Sequence, residues 1–269
     1  ELSARKVRGQ GLTRPELSVL LSYSKIVAFQ QLLESDIPED PYLSKELLRY
    51  FPQPLQKKYA DAMNGHRLKR EIIATAVTNQ TINRMGATFL MRMQEDTGRS
   101  VAEVAKAYTI SRETLDARAL WTQIDALDGT LPEAVQVDAL EVIWKLQRSF
   151  VRWLLNRPGA MPGITEAVNR YQAPFNDIRV ASGVLPDSQR PAYEASVQEW
   201  KEKGLPPALA QQLSELQFLE PAFDIIELAR TRKLKPVDVS KVHFRLGDAL
   251  QLPWLFEQID ALEVNGRWH

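Results

Sequence analysis

An all-α fold is predicted, a multi-helix array with a duplicated helical unit, and three observations predict it. Apolar residues recur at helical spacing along nearly the whole chain, with no convincing alternating run of β-branched residues. Proline stands at the start of one segment after another, where its missing N–H would have had no partner in any case. Capping-box patterns, a hydroxyl residue followed three positions later by glutamate, occur at Thr13 and Ser100.

The first helix is predicted to start near Thr13, where Thr13-Arg14-Pro15-Glu16 combines an N-cap, a first-turn proline and the capping glutamate. Leu17, Leu20, Leu21, Ser24, Ile26, Val27 and Leu32 follow at helical spacing until Asp36, Pro38 and Pro41 stop the run. Short helices are expected around Leu43–Tyr50 and Pro54–Met63. Between Arg67 and Glu95 there is no proline and one interior glycine, Gly86, which predicts a long central helix or two in series. Ser100 opens a short helix to about Tyr108, and Ser111 starts another running to Leu127. The segment from Pro132 through Trp144, Phe150 and Trp153 to Pro158-Gly159 reads as a long helix with aromatic anchors. The stretch Ala173–Arg190, with Pro174, Gly183 and Pro186, reads as a long connection and marks a boundary between two subdomains, 1–172 and 173–269. Helices then resume near Pro186, Pro206, Pro221, Pro236 and Pro253.

Composition excludes several functions. Lys plus Arg equals Asp plus Glu at 34 each in 269 residues, so no global field draws the chain to nucleic acid or to an anionic membrane. The lack of cysteine rules out disulfides, thiolate nucleophiles and Cys-ligated zinc together. The three histidines, His66, His243 and His269, lack metal-ligand spacing and read as surface or helix-end residues. No apolar run reaches the roughly 18–20 residues of a membrane span, and the start lacks a signal-peptide core. A cytoplasmic location is expected. The basic, Gly-rich start through Arg5, Lys6, Arg8 and Gly9 reads as a linker from an upstream segment.

The tetrapeptide Ile124-Asp125-Ala126-Leu127 recurs as Ile259-Asp260-Ala261-Leu262, an offset of 135 residues from 124 to 259. The same offset aligns Glu103-Val104-Ala105-Lys106 with Asp238-Val239-Ser240-Lys241 and Trp121 with Phe256; one further gap aligns Phe89 with Phe223. Duplication of a helical unit is expected, with the second copy truncated and the parent chain continuing into another long helix.

No glycine pattern matches a phosphate loop or a nucleophile elbow, so no catalytic, cofactor-binding or metal-ligating residue is predicted. The acidic pairs Asp224/Glu227 and Glu113/Asp116, one helical turn apart, read as solvated faces. Val101–Leu115 has the outline of a DNA-binding helix-turn-helix, with a turn ending in Ile110-Ser111. However, Thr109 stands where the turn usually has glycine, and Glu113 and Asp116 oppose phosphates, so DNA binding ranks last. The most informative pattern is a polar stripe on the central helix. Arg67, Glu71, Thr75, Asn79 and Asn83 recur every fourth residue, flanked by Arg70 and Arg84. Thr and Asn are mediocre helix formers because their side chains compete for the backbone. Arg67, Arg70, Glu71, Asn79, Asn83 and Arg84 are therefore candidate docking residues toward another domain or an adjacent helix; an ordinary wetted face reads the same stripe equally well.

Three stretches together, Gly11-Leu12-Thr13-Arg14-Pro15-Glu16-Leu17-Ser18-Val19-Leu20-Leu21-Ser22-Tyr23-Ser24-Lys25, Tyr50-Phe51-Pro52 and His66-Arg67-Leu68-Lys69-Arg70-Glu71-Ile72-Ile73-Ala74-Thr75, resemble the large bacterial NAD-dependent glutamate dehydrogenases. Asn79, Asn83-Arg84, Gly86, Thr88-Phe89, Glu95 and the region of Trp121 extend the resemblance over essentially the whole chain. It implies a helical C-terminal region whose glutamate site and NAD-binding fold lie upstream. The family's catalytic lysine and aspartate match no position here. The implied parent deaminates glutamate oxidatively to 2-oxoglutarate and ammonia with NAD as its cofactor, and it associates into homo-oligomers. The implied partner of this region is the upstream catalytic domain, with no nucleic acid and no membrane. The alternative is a free-standing helical interaction scaffold.

Overall fold

A computed structural model describes residues 2–9, 11–180 and 185–262; residues 181–184 and 263–269, His269 among them, lie outside the described residues. Among the described residues the chain is helical throughout, with no strand. The helices are α1 (Leu2–Val7), α2 (Arg14–Leu33), α3 (Ser44–Tyr50), α4 (Gln53–Gln56), α5 (Ala60–Asn64), α6 (Lys69–Met85), α7 (Phe89–Thr97) and α8 (Val101–Thr114). They continue with α9 (Ala117–Asp125), α10 (Glu133–Asn156), α11 (Ile164–Val180), α12 (Arg190–Glu202), α13 (Pro207–Leu216), α14 (Ala222–Arg232), α15 (Pro236–Ala249) and α16 (Leu252–Asp260). The chain divides into two compact units, Glu1–Arg112 with Gln147–Val168, and Glu113–Leu146 with Asn169–His269. The boundary drawn from sequence between residues 172 and 173 falls inside α11.

In the first unit, α6 is the hub against which α2, α3, α7 and a 3-10 turn at Ile37–Glu39 pack. Its inward positions Ile73, Ala74, Val77, Ile82 and Met85 are buried. Full burial of a side chain the size of Ile73, Val77, Ile82 or Met85 is worth about 1.5–3 kcal/mol. Thr78 and Thr81 share that face at no loss of hydrogen bonding, because their hydroxyls donate to the Ala74 and Val77 carbonyls at 2.7 and 2.8 Å. Gly86, at φ +97°, ends α6 and turns the predicted central segment into two helices in series, α6 and α7.

Both capping boxes form. The Glu16 carboxylate accepts the Thr13 N–H and hydroxyl at 2.8 Å each. At the start of α8, Glu103 accepts the Ser100 N–H and hydroxyl at 3.0 Å, while the Ser100 hydroxyl oxygen accepts the Glu103 N–H at 3.2 Å. Arg99 joins this box to the end of α10: it pairs with Glu103 at 3.0 Å and donates to the carbonyls of Leu155, Arg157 and Gly159. A guanidinium there complements the carbonyls at the negative end of the helix.

The Ser100 N–H bond, followed by the Ser100 hydroxyl and the Arg99 charge, holds the Glu103 carboxyl below its ordinary value of 4.5. A carboxylate with a lowered folded pKa adds stability above its unfolded pKa and loses it as pH falls through the folded value. Glu103→Gln is therefore expected to lower stability by about 0.5 kcal/mol at neutral pH. Urea denaturation should show that gap closing as pH falls below 4.5.

Two segments differ from the sequence expectation. The break foreseen at Thr109-Ile110-Ser111 is absent: α8 is one continuous helix from Val101 to Thr114, so the outline of a helix-turn-helix has no turn. Thr109 and Ser111 are buried, and their hydroxyls donate to the Ala105 and Tyr108 carbonyls, which removes their pull toward a turn conformation. The helix ends later, where Asp116 takes the left-handed conformation at φ 50° before α9.

The second difference is in the second unit. The long connection foreseen over Ala173–Arg190 is helical to Val180, with Pro174 inside α11. Proline forfeits one backbone hydrogen bond and crowds the carbonyl four residues earlier, a cost of about 3 kcal/mol. The buried Tyr171, Phe175 and Ile178 anchor the helix on both sides of the proline and offset that cost. Elsewhere in this unit α12 packs on α13, α14 on α15, and α15 on α16.

Candidate functional site

The polar stripe on α6 is divided between its neighbours and solvent. Lys25, from α2, donates to the Asn83 side-chain carbonyl at 2.9 Å and to that of Asn79 at 3.4 Å. Arg70 pairs with Glu39 and donates to the carbonyl of Leu33, the last residue of α2. Arg70, Asn79 and Asn83 thus bind α2 and the turn after it. Arg67 is exposed, and Glu71 and Arg84 are half-buried. Beside the stripe, a shallow cavity of about 220 Å³ lies between α2 and α6, lined by Lys25, Ile26, Phe29, Thr75, Thr78 and Asn79.

Behind α6 lies a charged cluster that sequence reading missed. Arg112 pairs with Glu46 at 3.2 Å, and each side chain is 2% exposed. Gln80 links the two: its amide nitrogen donates to Glu46 at 2.7 Å, and its amide oxygen accepts from Arg112. Arg49 adds a third donor to Glu46 at 2.9 Å, and the Tyr108 hydroxyl donates to the Gln80 backbone carbonyl at 3.1 Å. The Glu46 carboxylate thus accepts from three side chains, and the Arg112 guanidinium balances its charge out of water. A signal was present in the sequence: Arg112 falls on the same α8 face as Val101, Val104, Ala105 and Tyr108, at spacings of three and four.

A second such cluster stands in the other unit. Glu227 is buried, and the expected solvated Asp224/Glu227 pair is corrected accordingly: Asp224 alone is exposed. Glu227 accepts the Tyr171 hydroxyl at 2.9 Å and pairs with Arg230 at 2.9 Å and Arg170 at 3.7 Å. Tyr171 stacks on Phe223 at 4.6 Å between ring centroids. Burial, then the Glu227 carboxylate, pushes the Tyr171 phenol above its ordinary pKa.

An open groove of about 370 Å³ on the second unit carries Asp138, Glu141, Lys145, Glu199, Trp200 and Lys203. Its charges pair with one another: Lys203 with Glu199 at 2.8 Å and Asp138 at 3.5 Å, and Lys145 with Glu141 at 3.1 Å. Among the described residues no three His, Cys, Asp or Glu side chains converge as a metal site, and no helix is long and apolar enough to cross a membrane.

Residues 9–269 match the family described as "Glutamate dehydrogenase, C-terminal". The chain belongs to this family. It is 36% identical to the NAD-specific glutamate dehydrogenases of Halomonas elongata, over 269 residues, and Pseudomonas aeruginosa, over 274 residues. It is 26% identical to that of Mycobacterium tuberculosis over 272 residues. Each alignment takes in 100% of this chain but only 16–17% of the relative, so the chain spans about one-sixth of the curated proteins it matches. Two of the motifs behind the resemblance to the dehydrogenases meet in space. Gly11–Lys25 leads into and forms much of α2, while His66–Thr75 leads into α6, and these two helices pack on each other.

Proposed function

We propose that this chain is the non-catalytic helical C-terminal module of a large NAD-dependent glutamate dehydrogenase. Its parent oxidatively deaminates L-glutamate to 2-oxoglutarate and ammonia and reduces NAD. The match over residues 9–269, against relatives about six times as long, carries this reading. The absence of a Gly-rich phosphate loop from the sequence supports placing NAD and glutamate binding upstream. The cofactor supplies the hydride chemistry there, and a terminal module contributes by bracing the catalytic domain, by forming subunit contacts or by biasing open against closed states. The upstream catalytic domain is the partner and the parent is a cytoplasmic homo-oligomer. Arg67, exposed just before α6, and the half-buried Glu71 are the stripe residues that would meet that domain, while Arg70, Asn79 and Asn83 hold α2 on α6. The correspondence of α7–α9 with α14–α16 along the repeat supports an origin by duplication.

The test compares the full-length parent with the same protein ending just before Glu1, both checked for folding and assembly. The full-length protein is expected to form NADH from glutamate and NAD, and the folded truncation to keep NAD binding. An inactive, folded parent overturns the dehydrogenase assignment. Loss of NAD binding from a folded truncation overturns the non-catalytic reading.

A further inference from the structure

The charges of this chain cancel overall but are sorted by sign along it. Residues 49–70 hold six cations, Arg49, Lys57, Lys58, Arg67, Lys69 and Arg70, against one carboxylate, Asp61. Residues 119–144 hold five carboxylates, Asp125, Asp128, Glu133, Asp138 and Glu141, and no cation. In the first unit α3, α4 and α5 pack on one another, and the Phe51 ring lies 5.8 Å from that of His66, so the basic segment doubles back into one surface. Met63 is its one buried residue. Two of its cations are answered locally, Arg49 by Glu46 at 2.9 Å and Arg70 by Glu39. Among the described residues Lys57, Lys58 and Lys69 have no carboxylate partner, and neither has Arg67, proposed to meet the upstream domain. Tyr50, Leu55, Tyr59 and Leu68 stand between these charges in the sequence and are 40–65% exposed.

The acidic surface belongs to the second unit. It runs from the end of α9 into the first turns of α10, and no residue from Asp125 to Asp138 is buried. Lys203 answers Asp138 at 3.5 Å, and Lys145 answers Glu141 at 3.1 Å. Asp128 and Glu133 have no cation partner among the described residues, and Val137, 52% exposed, stands one helical turn from Glu133. Like charges crowded without counter-charges raise the free energy of an isolated surface, and an opposite excess brought against them lowers it.

We propose that the basic surface over residues 49–70 docks on the acidic surface over residues 125–138 of a second copy of this chain. This rests on the reading of the parent as a homo-oligomer. Two features choose this occupant. The unanswered charges of the two surfaces are opposite in sign, so a neighbouring copy supplies what each surface lacks. Both surfaces also set exposed aliphatic side chains, Leu55 and Leu68 on one and Val137 on the other, among the charges. A polypeptide partner covers those side chains, whereas the phosphate backbone of a nucleic acid does not. Because the two surfaces differ, one copy presents the basic surface and its neighbour the acidic one.

The test treats the full-length polypeptide with a carbodiimide, which joins a lysine amine to a carboxylate where the two touch. Lys57 or Lys58 is expected to be joined to Asp128 or Glu133 in the band of doubled mass on a denaturing gel, and not in the band of a single chain. Lys57→Glu with Lys58→Glu, at exposed positions, should lower that yield severalfold, and adding Asp128→Lys with Glu133→Lys should restore it with amine and carboxylate exchanged. Circular dichroism checks that each variant is folded. Four outcomes overturn the proposal: the link found in the single-chain band, Lys57 and Lys58 joined instead to residues upstream of Glu1 or to another protein, no restoration by the second exchange, or binding of a single-stranded oligonucleotide that Lys57→Glu with Lys58→Glu abolishes. Sedimentation of the untreated polypeptide is measured alongside. An oligomer without the link loses this interface alone, whereas a folded monomer loses the homo-oligomer reading with it.

Discussion

Arg112→Ala is expected to destabilise the first unit by about 3–5 kcal/mol. The cost does not come from the Coulomb energy of the pair, since bringing both charges out of water consumes most of that gain. It comes from what is left behind. Glu46, at 2% side-chain exposure, would keep its charge with Arg49 and Gln80 as donors but without its buried cation, and Gln80 would lose the donor to its amide oxygen. Urea denaturation followed by circular dichroism reads the loss. The triple change Arg112→Met, Glu46→Leu and Gln80→Leu removes the buried pair and the amide that links it together and is expected to recover most of it, because an apolar replacement of a buried pair is often neutral or better. The Tyr108 hydroxyl keeps its bond to the backbone carbonyl of residue 80 in that design, while its ring loses the Arg112 guanidinium 5.8 Å from its centroid. A loss below about 1 kcal/mol from Arg112→Ala alone would mean that the carboxylate finds water or another cation, and that the cluster is not a brace.

The same cluster shows where sequence reading reached its limit. Helix starts were legible because capping is local: Thr13 with Glu16 and Ser100 with Glu103 lie three residues apart and form in the structure as their spacing predicts. Helix interiors were less legible wherever burial overrides local preference. Pro174 argued for a connection, yet Phe175 and Ile178 hold α11 together through it. Ile110-Ser111 argued for a turn, yet Ser111 is buried with its hydroxyl satisfied inside α8. Charges at spacings of three or four read as solvated faces because solvent is their usual neighbour; Glu227 and Arg112 are buried because partners distant in sequence, Tyr171 and Glu46, neutralise or bond them. On α2 the residues at helical spacing divide: Leu32 is buried, whereas Leu17, Leu20 and Leu21 remain exposed. Periodicity reports that a face needs cover and carries no information on which polypeptide supplies it.

Phe223→Ala should destabilise the second unit by about 3–5 kcal/mol, through lost transfer energy and a cavity that the surrounding helices fill only in part. Phe223 is 0% exposed on α14 and supports one face of Tyr171, whose hydroxyl in turn holds Glu227. The loss should therefore reach beyond packing. Hydrogen exchange is expected to show amides of Ile225–Ala229 losing protection before those of α12 and α13. Titration of Tyr171 supplies an independent readout. Its pKa is raised in the fold, first by burial and then by the carboxylate it bonds, so its stabilising contribution is complete below the ordinary value of 10.0 and is lost as pH rises through the folded value. Opening a cavity at Phe223 admits water to the exposed ring face and weakens the larger of those causes. The ultraviolet phenolate titration of Tyr171 in Phe223→Ala, isolated by difference against Tyr171→Phe in the same background, should move down toward 10.0. In Glu227→Gln it should also fall, because the acceptor loses its charge while burial stays. If Phe223→Ala lowers stability but leaves the Tyr171 titration where it was, the two rings share packing alone, and the hold on Glu227 does not depend on the stack.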